Sequence, residues 1–542
     1  MTEAAQPANL RPGSRVDWGV YLATAGVFLG AGIVSLAQRL LSVGLPDLRG
    51  ALGLGFDDAA WIPTACDMCL MFVVGFTVYF GAVFGPRRVL LVTVPLYVLA
   101  SSAIPFAKSY SAILALQALV GLSAGTFYPL ALSYALTHLP AQYTIYGIGA
   151  FAMELLTTLS LSTPLEAWFA DHWSYRWIFW AGPLLCLPLL LLVYVALPNP
   201  PARPGPKPQV SFVGFLFASL GLSLLYGVLE QGERLDWLHS GTIVAMLVSG
   251  GFLLLAAVVR RWLAPNPLVN LRFLMRRNTL ITACGIFSIR FAMLAILVVL
   301  PGFLGTVQGY RARETGRVLA WSVAPLLIGG FLAARAMRRV DARIVMATGL
   351  TLVGAAGIIN FHLTSAWADR DFFLSQIVLA AGLASALAGA IGLVCQQVQE
   401  TGAVVSANVV RPVDVLTFAA FFQVTRLFGG QVGVSIMQRF VDLREMFHSN
   451  RLGYGVQAGD FVTDERLRAL AAGVLPGSPG GEDAQGRAVA LLGAQVRGQA
   501  YTMAYADGFL LITAICIAFI LLMAAMRPMK IYYDATGSRV PQ

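Results

Sequence analysis

The chain has 542 residues, of which 58% are hydrophobic and only 12% charged, with a mean hydropathy of +0.73. A water-soluble protein of this length needs more charge to cover its surface, so the composition excludes one. The formal charge of +10 must be read against membrane topology before any nucleic-acid partner is inferred from it.

Apolar runs of about 20 residues, the length that crosses a bilayer as helix, recur throughout. The alternating segments of about ten residues that mark a membrane barrel are missing. The expected fold is therefore all-α and polytopic. The polar start MTEAAQPANLRPGSRVDWG lacks a short apolar core and cleavage site, so residues 1–17 read as a cytoplasmic tail. Spans follow at 18–43, 59–84, 88–107, 111–136, 145–167, 176–197, 211–229, 241–262, 279–305, 316–336, 344–364, 372–397, 412–438 and 503–526, fourteen in all. An even number places both termini on one side. Nineteen Lys and Arg fall in segments on that side and eight in the short loops opposite, which makes the terminal side cytoplasmic. Most of the positive charge is thus an orientation signal.

Two stretches interrupt the pattern. PNPPARPGPKPQ (198–209) is a stiff, basic, Pro-rich linker. Residues 439–502 form a long outside segment with Gly/Pro punctuation at 475–486. The tail of that segment is compatible with helix running into the last span. A weak repeat relates span 1, through Arg39 to Leu45-Pro46, with span 9, through Arg290 to Leu300-Pro301. Span 2, ending in GAVFGPRR (81–88), likewise matches span 10, ending in GFLAARAMRRVDAR (330–343). Two related halves with a site between them is transporter logic. The predicted order is a six-helix bundle (18–197), the linker (198–210), two inserted helices with a basic loop (211–278), a second six-helix bundle with the outside segment (279–526), and a cytoplasmic tail (527–542).

Several stretches resemble one family. LPDLRGALG and WIPTA (within 45–65), SYRWIFWAGP (174–183), LPGFLGTVQGYRARETG (300–316) and RLFGGQVGVS (426–435) look like the EmrB/QacA-type drug antiporters, the 14-span branch of the major facilitator superfamily. REMFHSNRL (444–452) and AYADGF (504–509) resemble the inner-membrane pump of EmrAB-type tripartite systems. The resemblance covers nearly the whole chain. It implies efflux of small lipophilic compounds across a bacterial inner membrane, driven by the proton gradient without another cofactor. It also implies a periplasmic adaptor and an outer-membrane channel as partners. The chain departs from the family at marked places. The first inner loop is shortened to Gly81–Arg88, keeping Arg87 and Arg88 but no acid. Gln117 stands where span 4 usually has arginine, and Ala37 where span 1 usually has aspartate. Span 5 reads Thr163-Pro164 and Glu166-Ala167 in place of the usual Gly-Pro and Gly-Gly, so Pro164 is kept as a gating candidate.

The charges left inside spans are Arg39, Asp67, Glu154, Arg290, Asp414 and Arg426. Each costs about 2.5–3.5 kcal/mol at a helix centre on insertion scales, which makes each a functional candidate. Arg39 and Asp67 lie at similar depth and invite a pair, with Glu154 the competing partner. Such a pair is equally readable as a static link between helices. Glu154 and Asp67 are the proton-coupling candidates, Glu154 the better carrier of the two; the bland alternative for Glu154 is a hydrogen-bonded, permanently protonated packing acid. Asp414, close to Arg411, reads as interfacial. Arg426, with Gly429 and Gly430, falls in a family motif and reads as structural first. Arg39 and Arg290 on corresponding helices would make a central cavity electropositive and suited to organic anions, unless acids neutralise them. Gln117, Phe127, Tyr128, Phe151 and Phe291 complete the cavity candidates, although ordinary helix- or lipid-facing positions are the commoner reading of any single aromatic.

Cys66-Asp-Met-Cys69 has zinc-like spacing but sits in a span without a second ligand pair, and no metal is expected. The chain has no phosphate loop and no hydrolase or metalloprotease motif, so a membrane-embedded enzyme is the weak rival. An uncoupled or proton-symport permease is the alternative within transport.

Overall fold

The computed structural model describes residues 18–130, 141–196, 212–263, 277–404, 412–474 and 481–526. Both expected tails, the linker 198–210 and most of the basic loop before residue 277 lie outside them. The described residues are mostly helical, joined by short turns, with no strand among them.

The helices are α1 (Trp18–Val43), α2 (Leu45–Leu52), α3 (Phe56–Phe84), α4 (Pro86–Ala103), α5 (Tyr110–Ala124), α6 (Ala141–His172), α7 (Trp177–Ala196), α8 (Phe212–Gln231) and α9 (Gly241–Leu263). They continue with α10 (Arg277–Ala292), α11 (Leu300–Thr306), α12 (Ala312–Ala320), α13 (Val323–Ala336), α14 (Ala342–Phe361), α15 (Phe373–Val404), α16 (Pro412–Gly453), α17 (Phe461–Val474) and α18 (Gly481–Met523). Among the described residues eleven helical stretches, two of them made of consecutive helices (α10 with α11, and α12 with α13), are long and apolar enough to cross a membrane, or twelve if α1 and α2, bent by 60°, make one span. The other two expected spans, 5 and 13, fall within α6 and α16, which are 32 and 42 residues long.

Local chemistry sets many of the boundaries. α2 carries Pro46 in its first turn, where the missing N–H costs nothing, and stops at Gly53 in the left-handed region (φ 63°). Asp57 and Asp58 stand in the first turn of α3, where the helix dipole favours negative charge. Gly85 (φ 79°) ends α3, and Pro86 begins α4. Ser109 caps α5 by accepting from Ala112 N at 3.3 Å, and Asp341 caps α14 by accepting from Arg343 N at 2.9 Å.

The first half packs α1 against α6 and α7, α3 and α4 against α5, and α4 against α7. The second packs α15 against α13 and α14, and α18 against α14 and α16. On one side the halves meet where α6 lies on α12, α13 and α15. On the other, α3 meets α16, and the inserted helix α8 packs on both of them. Its companion α9 packs on α8, with Val248, Phe252 and Leu255 exposed. Gly349 shows how close such helices come. A Cβ there would lie 2.7 Å from Ala386 Cα and from Gly382 O, so only glycine lets α14 and α15 touch backbone to backbone.

The outside segment 439–502 is no irregular loop. α16 and α18, at 42 and 43 residues, are each about 63 Å long at 1.5 Å per residue, twice a bilayer core of about 30 Å. They run on from the bundle as a helical extension, with α17 laid against α18. The Gly/Pro-rich residues 475–480 lie outside the described ones.

Candidate functional site

A cavity of about 630 Å³ lies between the halves, toward the face from which the extension projects. Its polar wall is made by Gln38 and Arg39 of α1, Asp67 of α3, Gln117 of α5, Glu230 of α8, and Gln431 and Gln438 of α16. Val34, Leu41, Leu45, Val120, Phe179 and Val298 give it an apolar remainder. The volume is in the usual range for drug-sized ligands.

Arg39 and Asp67 share this cavity, as their similar depth suggests, yet they form no ion pair. Asp67 Oδ1 accepts from Gln38 Nε2 at 2.6 Å. Arg39 turns to the other half and donates from Nη2 to the Leu297 carbonyl at 3.3 Å; its Nε is buried without a partner. The acceptor follows from sequence. Pro301 has no N–H to return to Leu297, four residues back, and the chain forms a π turn over Ala295–Val299 just before it. The Leu-Pro step of span 9 thus presents an acceptor that Arg39 of span 1 takes.

Glu154 stands apart from the cavity, near the middle of α6. Its carboxyl lies over Gly32 of α1, where a Cβ would come within 3.0 Å of Glu154 Cδ. Thr158 Oγ1 donates to Oε1 at 3.4 Å, and Oε2 is buried with no hydrogen-bond partner. Arg426 of α16 acts on it electrostatically. Arg426 itself is buried, donates from Nε to Gln423 Oε1 at 2.9 Å, and stacks 4.3 Å from the ring centroid of Tyr128 in the first half. Such stacking suits a planar guanidinium.

Arg290 does not line the cavity. It packs against Gly430, where a Cβ would lie 2.6 Å from its Nη2; Nη1 reaches Met293 Sδ at 3.4 Å, and Nε has no acceptor. Gly429 faces Phe287. Phe127 and Phe291 are core residues, at 2% and 1% exposure, and Tyr128 is held by Arg426. The electropositive cavity expected from two arginines is therefore absent: one arginine and two acids line it. Pro164 packs under Gly316 of α12, at the seam between the halves. Arg87 donates to the Tyr194 carbonyl at 2.8 Å, tying the start of α4 to α7, and Arg88 is exposed. The side chains of Phe151 and Asp414, and all of Arg411, lie outside the described residues.

Glu230 is the residue that sequence reasoning passed over. EQGERLDW (230–237) reads as a polar loop after span 7, but α8 carries Glu230 into its last turn and onto the cavity wall. Two acids closing an apolar span were the available signal.

Two helical halves of membrane-spanning length, with a cavity between them and ionisable groups on its wall, define a multi-pass membrane protein. The chain belongs to the Major Facilitator Superfamily, whose family profile matches residues 27–410. It is similar to the probable multidrug resistance protein EmrY of Escherichia coli, 25% identical over 344 residues, 63% of this chain and 65% of EmrY. It is similar also to the multidrug export protein EmrB of Haemophilus influenzae, 23% identical over 433 residues, 80% and 82% of the two chains. The human organic anion transporter MFSD10 (TETRAN) shares the fold, with a TM-score of 0.54 over 92% of this chain and 99% of its own, at 13% identity.

Proposed function

We propose that this protein exports lipophilic organic compounds across the bacterial inner membrane in exchange for protons, by alternating access of its two halves. The observation that carries the reading is the inter-half cavity, part apolar and part ionisable, with Asp67 and Glu230 on its wall. The names of the relatives, multidrug resistance and export proteins, support the direction of transport. Glu154 is the proton-coupling group at mid-depth: a buried carboxyl with a free oxygen, facing a glycine on a helix that borders the cavity. Arg426 on Tyr128 links the halves at that depth.

The charge asymmetry of the loops supports cytoplasmic termini, which directs the extension to the periplasm. There it presents Leu443, Met446, Phe447, Tyr454, Phe461 and Val462 to solvent. An apolar surface of this kind supports docking of a periplasmic adaptor that leads to an outer-membrane channel. The chain acts as a carrier, without catalysis.

The test is transport by purified protein in liposomes that enclose a pH-sensitive dye. Addition of a lipophilic cation or a lipophilic weak acid should start proton movement that Glu154→Gln abolishes. Substrate movement down its own gradient with no proton movement would establish an uncoupled permease instead. Proton movement untouched by Glu154→Gln would take the coupling role from that residue.

A further inference from the structure

A second cavity, of about 450 Å³, opens at the C-terminal end of α13 and shares no lining residue with the one between the halves. Leu332, Arg335, Ala336, Arg338 and Arg339 line it. The helix reaches this end along a face of exposed apolar side chains, Leu327, Ile328, Phe331 and Leu332, in a stretch fit to cross a membrane. Residues four apart lie on one side of a helix, about 6 Å apart along its axis. Leu327, Phe331 and Arg335 therefore form one row. The turn after α13, in which Arg339 N donates to the Ala336 carbonyl at 2.9 Å, continues the winding to Arg339. The row changes from apolar to cationic where the span ends.

Two of these arginines have no acid of their own. Among the described residues Arg335 and Arg339 are in no salt bridge. Asp341, the nearest acid along the chain, caps α14 and is taken by Arg343, whose Nε and Nη2 donate to Oδ2 at 3.0 and 2.7 Å. The matching turn of the first half is built differently. There Arg87 donates to the Tyr194 carbonyl at 2.8 Å and lies 5.7 Å from the centroid of the Tyr194 ring. The first-half turn closes on its own bundle, and the second-half turn opens onto a cavity. An orientation signal needs only charge on the cytoplasmic side. It needs neither a cavity nor an apolar row that leads to it.

We propose that this cavity binds the headgroup phosphate of one anionic phospholipid from the cytoplasmic leaflet, whose acyl chains lie along Leu327, Ile328, Phe331 and Leu332. Arg335 and Arg339 donate to the phosphate oxygens, which a planar guanidinium meets two at a time. Basic pockets beside helices at the cytoplasmic surface suit such headgroups. A soluble phosphate has no chains to lay along the apolar row, so the lipid is the occupant. The inference goes beyond export and stands without it; the leaflet follows from the orientation proposed above. The other face of α13 closes on α6 at the seam, where a Cβ on Gly149 would lie 2.7 Å from Ala334 Cβ. The bound lipid thus sits behind a contact between the halves.

The experiment is native mass spectrometry of the purified, delipidated full-length protein, titrated with dioleoylphosphatidylglycerol or dioleoylphosphatidylcholine. Wild type should take up one phosphatidylglycerol at least about tenfold more tightly than phosphatidylcholine. Arg335→Gln and Arg339→Gln should each weaken that binding about fivefold. Arg335→Lys keeps the charge without the paired donors and should fall between wild type and Arg335→Gln, which separates lost binding from misfolding. Arg277→Gln removes an equally exposed arginine at the start of α10 and should change the affinity by less than about twofold. Equal losses in Arg277→Gln and Arg335→Gln would overturn the site and leave only diffuse attraction between basic charge and anionic lipid. Equal affinity for the two lipids would overturn it as well. Displacement of phosphatidylglycerol by millimolar inorganic phosphate would do the same, by making a soluble anion the occupant.

Discussion

Asp507 of α18 accepts a hydrogen bond from Arg444 Nε of α16 at 2.6 Å, where the two long helices leave the bundle. His448 Nε2, one turn further along α16, donates to the same carboxylate oxygen at 2.7 Å. The residues come from REMFHSNRL and AYADGF, two motifs separated by about 60 residues in the chain and joined in space.

That junction anchors the extension. Charge-assisted hydrogen bonds are each worth about 1.5–3 kcal/mol. Asp507→Asn keeps the shape and removes the charge. Amide exchange at 444–453 and 484–500 should accelerate by about one to two orders of magnitude, while α14 and α15 stay as protected as before. Equal exchange in variant and wild type would mean that α17 and the helix contacts hold the extension without the carboxylate.

The contact between Arg39 and Leu297 depends on a proline. Pro301→Ala supplies an N–H that competes for the Leu297 carbonyl. Arg39 should then leave the second half, and spin labels at 43 and 306 should report a broader distance distribution. Loss of one hydrogen bond from a charged group corresponds to about 1.5–3 kcal/mol between the two arrangements. A narrow, unshifted distribution would show that Arg39 keeps its acceptor against the new donor.

These contacts mark the limit of what sequence carries. The helices were legible because each apolar run has bilayer length, and the shared depth of Arg39 and Asp67 followed from one loop joining two spans. Their pairing did not follow. Neighbours on a helix point about 100° apart, so Gln38 faces Asp67 while Arg39 faces the other half, and only packing decides which residue meets the acid. Glu230 was hidden for a similar reason. Its surroundings EQGERLDW have loop composition, and its place on the wall depends on α8 lying against α3 and α16, which no local pattern records. Arg290 matches Arg39 in the repeat, yet Gly430 opens space for its guanidinium away from the cavity.

Arg426 tests whether stacking or charge matters at mid-depth. Arg426→Lys keeps the charge and loses the planar face that sits 4.3 Å from the Tyr128 centroid, as well as the Nε bond to Gln423. The expected cost is about 1–2 kcal/mol in the contact between halves. It should appear as faster alkylation of a cysteine placed at Phe127 in a cysteine-free background. Tyr128→Leu should give the same acceleration, and the double variant should add little to either alone. Additive effects would mean that the two residues act independently.

Gly349 separates packing from function. Any side chain there meets the Ala386 backbone and the Gly382 carbonyl, and neither can rotate away. Gly349→Val should lower the unfolding midpoint in detergent by an amount equivalent to about 1–3 kcal/mol or more. Gly251, on α9, is the control, because nothing lies within 4 Å of a Cβ built there. Gly251→Ala should hold or raise the midpoint, by about 0.5–1 kcal/mol at most, since it removes only the cost of glycine within a helix. A small effect at Gly349 would require α14 and α15 to move apart. Ligand binding would then report whether that seam and the cavity are mechanically independent, since neither helix contributes a side chain to the cavity wall.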